Sequence, residues 1–255
     1  MRLPYHAAEG GALCRLAMVF RDQMYYAEAH ETLEDALAVA TGLDDRLTAH
    51  IYRQLGIVER NSLDFTQARL HFERARDGFM TLVDLRSVAM VDRNIGDYLR
   101  ASGELDMAVE TLQLALQQFR TIDDVRWTAR CELSLAETRR QQQERDRARA
   151  HQRRAAETFV SIADRPAQGR AWHTLALIER DDAQRPDAER AFAEAAAIFR
   201  ELKDLAWLSK CLASWSTLYA SESTDNESLI AEATVNLKKA GLTITDPWTT
   251  IWREW

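Results

Sequence analysis

The sequence predicts an all-α fold, a right-handed α-solenoid of about six antiparallel helix hairpins. Three observations carry this. The phrases FMTLVD, FRTIDD, FVSIAD and FRELKD begin at Phe79, Phe119, Phe159 and Phe199 and end at Asp84, Asp124, Asp164 and Asp204, forty residues apart each time. A fixed period of that length marks a repeat architecture in which each unit stacks on a copy of itself. Only nine Gly and four Pro occur in 255 residues, so helix can run almost everywhere. Small residues keep the same step: Gly56, Gly96, Ala136, Ala176 and Ser216; Ala68, Ala108, Ala148 and Ala188; Ala75, Ala115, Ala155 and Ala195.

The hairpins follow in order within a single domain. In the first, about 7–45, Ala17, Ala29 and Ala36 take these places at an interval of thirty-nine. The second spans about 46–85 and the third 86–125. The third is the plainest. Gly103 breaks a first helix, about Arg86 to Ala101, and Asp106 is placed to start a second, about Leu105 to Thr121. Gly96 and Ala108 let the two backbones approach closely. Leu112, Ala115, Leu116 and Phe119 stand at i, i+3, i+4 and i+7, one apolar face. The Phe of each phrase anchors the end of the second helix, and Leu82, Ile122, Ile162 or Leu202 continues the same face. The Asp is an N-cap for the next helix, with a replacement cost of roughly 0.5–2 kcal/mol. The fourth and fifth hairpins cover about 126–165 and 166–205. The sixth, about 206–243, is degraded, and its SESTDNES stretch (Ser221 to Ser228) reads as a loop. Residues 244–255 form a C-terminal capping segment, where Asp246 and Pro247 signal a helix start.

Composition excludes several classes. No apolar run reaches the roughly 18–20 residues that span a bilayer. The start, MRLPYHAAEGGALCRL, has no uninterrupted apolar core of a signal peptide. Cys14, Cys131 and Cys211 lack metal-ligand spacing and read as buried thiols in a reducing, cytoplasmic compartment. The net charge of −7 argues against direct nucleic-acid or membrane binding. The six His are scattered, and there is no Gly-rich phosphate loop or nucleophile elbow. The expectation is therefore no enzyme, no cofactor and no metal.

A small residue, Ala twelve on, an apolar residue four on and Ala three after that resembles the tetratricopeptide repeat pattern. It reads Gly56–Ala68–Phe72–Ala75 and Ala176–Ala188–Phe192–Ala195. The family's aromatic residue four before the small one is matched by Tyr52 and Trp172 and replaced by Asp92 and Glu132. The forty-residue unit is similar to the arrays of actinobacterial transcriptional regulators such as signal-transducing ATPases. The resemblance implies a concave groove lined by the first helix of each hairpin. Its ligand-contacting positions fall on an arginine ladder, Arg21, Arg60, Arg100, Arg140 and Arg180. They also fall on His50, Met90, Arg130, Arg170 and Lys210, on Arg53, Arg93 and His173, on Asn61 and Asn94, and on Asp97 and Glu137.

Arginine donates bidentately to carboxylate and phosphate, so the expected function is a non-catalytic protein- or peptide-binding scaffold or adaptor for an acidic segment. The alternatives are the ligand-sensing domain of a bacterial transcriptional regulator, and a small-molecule or enzymatic groove. Trp248, Trp252 and Trp255 lie on one face of a short helix, as a lid on the last hairpin or as a docking or homodimer surface. Deletion of residues 246–255 is expected to lower the melting temperature. A dimer split with no change in melting temperature would establish the docking role instead.

Overall fold

The computed structural model describes residues 3–219 and 224–239, with residues 3–7 and Asn226 by backbone alone. It divides into two compact units, Met1–Ser134 and Leu135–Trp255. The first holds α1 (Leu3–Asp22), α2 (Tyr26–Ala40), α3 (Asp45–Asn61), α4 (Phe65–Thr81), α5 (Leu85–Ala101) and α6 (Leu105–Thr121). The unit boundary falls inside α7 (Val125–Gln141). The second unit continues with α8 (Arg145–Ser161), α9 (Arg165–Asp181), α10 (Arg185–Leu202), α11 (Leu205–Ser216) and α12 (Thr224–Lys239).

In the first unit α1 packs on α2, α3 on α4, and α5 on α6. Each hairpin packs on the next through α2 with α3 and α4 with α5, while α1, α3 and α5 also touch in succession. In the second unit α9 pairs with α10 and α11 with α12. The fold is thus all-α, built of stacked antiparallel hairpins.

The joints explain the forty-residue phrase. Leu63, Val83, Gly103, Asp123, Gln143, Ala163, Ala183 and Lys203 all have positive φ, and they stand twenty residues apart. Turns within hairpins and between hairpins are therefore the same turn. At each, the backbone N–H one residue past the positive-φ residue donates to the carbonyl five residues back: Asp84 to Phe79 at 2.9 Å, and Asp124 to Phe119, Asp164 to Phe159 and Asp204 to Phe199 at 3.0 Å. This is the 6→1 bond of a Schellman cap. The side chain of the same Asp then accepts from the backbone three residues on. Asp84 accepts from Ser87, Asp124 from Trp127, Asp164 from Ala167 and Asp204 from Trp207. Phe and Asp are six residues apart, counted inclusively, because one hydrogen bond joins them.

The four Phe are at most 2% exposed, each contributing roughly 1.5–3 kcal/mol by burial. Gly96 is required by close approach, since a Cβ there would fall 2.5 Å from Leu112 Cγ. Three expectations need correction. Helix α6 takes Glu104 as its N-cap residue, and Asp106 sits in its first turn, where a carboxylate favours the helix dipole. Ile122 is the C-cap residue of α6 and is exposed, so it leaves the apolar face where the helix ends. Residues 224–228, expected as loop, begin α12, with Asp225 and Glu227 in its first turn. Trp248, Trp252 and Trp255 lie outside the described residues.

Val83 is β-branched, exposed and at φ 53°, a conformation that disfavours an L-residue by roughly 1–2 kcal/mol. Val83→Gly is expected to raise the melting temperature by about 2–4 °C. Gly103→Ala, at φ 87°, is expected to lower it. Thermal unfolding that showed no difference between the two variants would refute strain at these turns.

Candidate functional site

Because alternate helices lie side by side, equivalent positions on them meet about forty residues apart in sequence. In the first unit Arg53 Nη1 on α3 donates to Asn94 Oδ1 on α5 at 3.4 Å. Arg93 Nη2 on α5 donates to Ser134 Oγ on α7 at 3.0 Å. Arg60 and Arg93 both reach Asp97 Oδ2, at 3.7 and 2.9 Å. Burial pushes the Asp97 carboxyl up, but Arg93, Arg100 and Arg60 together outweigh it and hold the group below the usual carboxylate range. Arg60 also donates to Asn61 Oδ1. Arg21 on α1 donates to Gln54 on α3 and pairs with the exposed Asp22. Trp127 carries two guanidinium groups, Arg130 at 4.9 Å and Arg93 at 5.8 Å from its ring centre, and stacks on Phe119.

In the second unit Arg140 pairs with Glu137 at 2.7 Å and with Asp181. Arg180 pairs with Asp181 at 2.9 Å and donates to Thr217 Oγ1 at 3.2 Å. His173 is buried, hydrogen-bonded to Ser214 Oγ at 3.2 Å, and edge-on to Phe192 and Trp207. Arg170 and Lys210 lie over Trp207, at 5.7 and 4.7 Å. Trp207 stacks on Phe199, so the arrangement at Trp127 recurs eighty residues on.

The ladder arginines therefore do not stand alone: Arg21, Arg60, Arg140 and Arg180 each tie one first helix to the next. Asp181 serves the ladder, whereas Glu59 turns away to His71 Nδ1 at 2.6 Å and His30 at 3.5 Å. Met90 accepts from Arg86 on its own helix, and His50 faces Gln54.

A second set of charges was not anticipated. Asp92 and Glu132, which replace the expected aromatic residue, are buried and answered from the preceding helix. Arg76 Nε donates to Asp92 at 2.7 Å, with Gln118 adding a second bond, and Arg120 Nη2 donates to Glu132 at 2.8 Å. Arg149 likewise holds Glu179 at 2.9 Å. The signal available was the substitution itself, a carboxylate where a ring belongs, with an arginine one helix earlier.

An open hollow of about 540 Å³ beside the α7–α8 turn is lined by Glu144, Arg145, Arg149 and Asp182 among others, which pair with one another. Among the described residues no three His, Cys, Asp or Glu are placed to hold a metal ion, and no helix is long and apolar enough to cross a membrane. Cys14, Cys131 and Cys211 are buried, and burial pushes the Cys131 and Cys211 thiols up to about 12.

Residues 9–80 and 87–159 match the tetratricopeptide repeat family. The chain belongs to that family. No curated protein sequence matches it. Among solved structures, this tetratricopeptide repeat protein is similar to a Rap protein complexed with Competence and Sporulation Factor. The identity is 15% and the TM-score 0.79, covering 91% of this chain and 64% of that one. It is also similar to BtubC from P. vanneervenii, with 18% identity and a TM-score of 0.59 over 87% of this chain and 89% of that one. A third likeness is to a signal-transduction ATPase with numerous domains and a tetratricopeptide repeat sensor, from Pyrococcus horikoshii. There the identity is 13% and the TM-score 0.62, over 96% of this chain and 43% of that one. At such identities the likeness is one of fold.

Burial, then Arg53 and Arg21, push the His50 imidazole down to about 4. Burial, then Lys210, push His173 down to about 3. In the unfolded chain both titrate near 6.5. As pH falls through 6.5 the unfolded state takes up protons that the fold refuses, so stability is lost between about pH 6.5 and 4. Melting temperature measured from pH 7 to 4.5 is expected to fall, and His50→Gln/His173→Gln is expected to flatten the curve. An unchanged slope in the double variant would refute these two histidines as its source.

Proposed function

We propose that the chain is a non-catalytic, cytoplasmic protein-interaction scaffold whose first-helix face binds an acidic peptide or an acidic segment of a partner protein. One observation supports this above the others. Arg60, Arg93 and Arg100 converge on the single carboxylate Asp97, and Arg93 and Arg130 lie over Trp127. Guanidinium groups already held in place lose little freedom when an anion arrives. Three guanidinium groups thus share one carboxylate, whereas Arg76, Arg120 and Arg149 of the second helices each have a buried carboxylate of their own. In the second unit Arg170, Lys210 and Trp207 repeat the arrangement, with His173 neutral beside them. The Rap structure, complexed with Competence and Sporulation Factor, is a precedent for a bound factor on a related architecture.

A second reading is the sensing arm of a larger bacterial transcriptional regulator. It is favoured by the likeness to the Pyrococcus horikoshii ATPase, in which the tetratricopeptide repeat is the sensor. The length of the open reading frame separates this from a free-standing adaptor.

The test is fluorescence anisotropy with a panel of short acidic peptides and the same peptides with Gln for Glu and Asn for Asp. Acidic peptides are expected to bind, more weakly as salt rises. Arg93→Gln is expected to weaken binding by roughly tenfold, the loss of one charge-assisted contact. Equal binding of acidic and neutral peptides would overturn the acidic specificity.

A further inference from the structure

Two second helices carry opposite charge patterns on their exposed sides. Helix α2 exposes Glu28, Glu31, Glu34 and Asp35 along one face and holds no Lys or Arg. Among the described residues no cation is paired with any of the four. Like charges three and four residues apart repel, and no base in the last turn of α2 offsets them against the helix dipole. Helix α8 is the inverse. It carries five Arg against Asp146 and Glu157, in a chain whose net charge is −7. Arg147, Arg153 and Arg154 are exposed along one of its faces. Arg147 pairs with Glu144 just before the helix, and Arg154 donates to His151 on its own helix. Among the described residues no carboxylate is paired with Arg153.

The two patterns share one register. Ala29 and Ala148 are the same buried small residue in two different hairpins. Counted from them, Glu28 stands where Arg147 does, Glu34 where Arg153 does, and Asp35 where Arg154 does. Glu28 and Asp35 are seven residues apart, as are Arg147 and Arg154, which is about 10.5 Å along either helix. Two carboxylates of one helix therefore match two guanidinium groups of the other, whichever way the helices run.

We propose that α2 of one copy docks on α8 of a second copy, a head-to-tail contact between copies of this chain. Glu28 and Asp35 meet Arg147 and Arg154, and Glu34 and Arg153 lie between them. The contact is heterologous, so a pair of copies still offers one basic and one acidic helix to further copies. It does not involve the first-helix face and does not depend on the peptide reading. Exposed ion pairs are individually weak, so the association is reversible and sensitive to salt. At about 0.1 M salt the screening length is about 10 Å, which mutes the charge of whole chains and spares groups in contact, and at about 1 M it is about 3 Å.

Sedimentation velocity of the whole chain tests the contact. Wild type at about 0.1 M salt is expected to sediment faster as its concentration rises, and to be monomeric at about 1 M. Two triple variants neutralise one face each: Glu28→Gln/Glu34→Gln/Asp35→Asn on α2, and Arg147→Gln/Arg153→Gln/Arg154→Gln on α8. Each is expected to be monomeric alone. Mixed, they are expected to form a one-to-one pair and nothing larger, because each supplies the one face the other lacks. If the α8 variant fails to fold, the α2 variant against wild type decides. A wild-type chain that stays monomeric at about 0.1 M salt overturns the contact. So does association that survives either triple variant, or a mixture of two folded variants that stays monomeric.

Discussion

At each forty-residue joint one Asp closes two helices. Its backbone N–H satisfies a carbonyl left over by the helix behind, and its carboxylate satisfies an N–H left over by the helix ahead. Helix ends leave four such groups each, and the twelve helices among the described residues would otherwise meet that deficit at every turn. Placing both functions on one residue shortens the connection to three residues. The short connection fixes the angle between successive helices, and that angle brings first helices side by side. The contacts between Arg53 and Asn94 and between Arg93 and Ser134, each across forty-one residues, exist because every joint is made the same way.

Charge is then sorted by helix. Second helices extend Arg76, Arg120 and Arg149, themselves part-exposed, to the buried Asp92, Glu132 and Glu179. Removing one of these arginines leaves a buried carboxylate uncompensated, so the pairs help specify which helix lies on which. First helices keep arginines on one face, where Arg130 lies over Trp127 and Arg170 over Trp207. Arg60, Arg140 and Arg180 pair with Asp97 and Asp181 on that same face, so the two sets differ in which helices they join.

Much of the fold was legible in the sequence because it rests on spacing. The bounds of α6 agree with those read from Gly103 and the apolar row Leu112 to Phe119, and the capping Asp residues follow from their place in the phrase. The twenty-residue period was not legible. The left-handed turn residues are Leu63, Val83, Asp123, Gln143, Ala163, Ala183 and Lys203 as well as Gly103, so no residue type announces the position. The candidate site was legible as a set of positions, but its pairing was not. Whether Arg140 meets Asp181, or Glu59 meets His71, depends on side-chain reach across neighbouring helices, which one-dimensional spacing does not contain.

The identical turn every twenty residues also governs how such a chain can change length. Removing or adding one helix with its turn would leave every cap intact, yet it would exchange the two kinds of helix for all that follows. Arginines of the first-helix face would then be directed at buried carboxylates, and buried carboxylates at water. Two helices and two turns must come or go together. Growth of the array is therefore counted in whole hairpins, and a gene of this kind is expected to lengthen by duplications of forty codons.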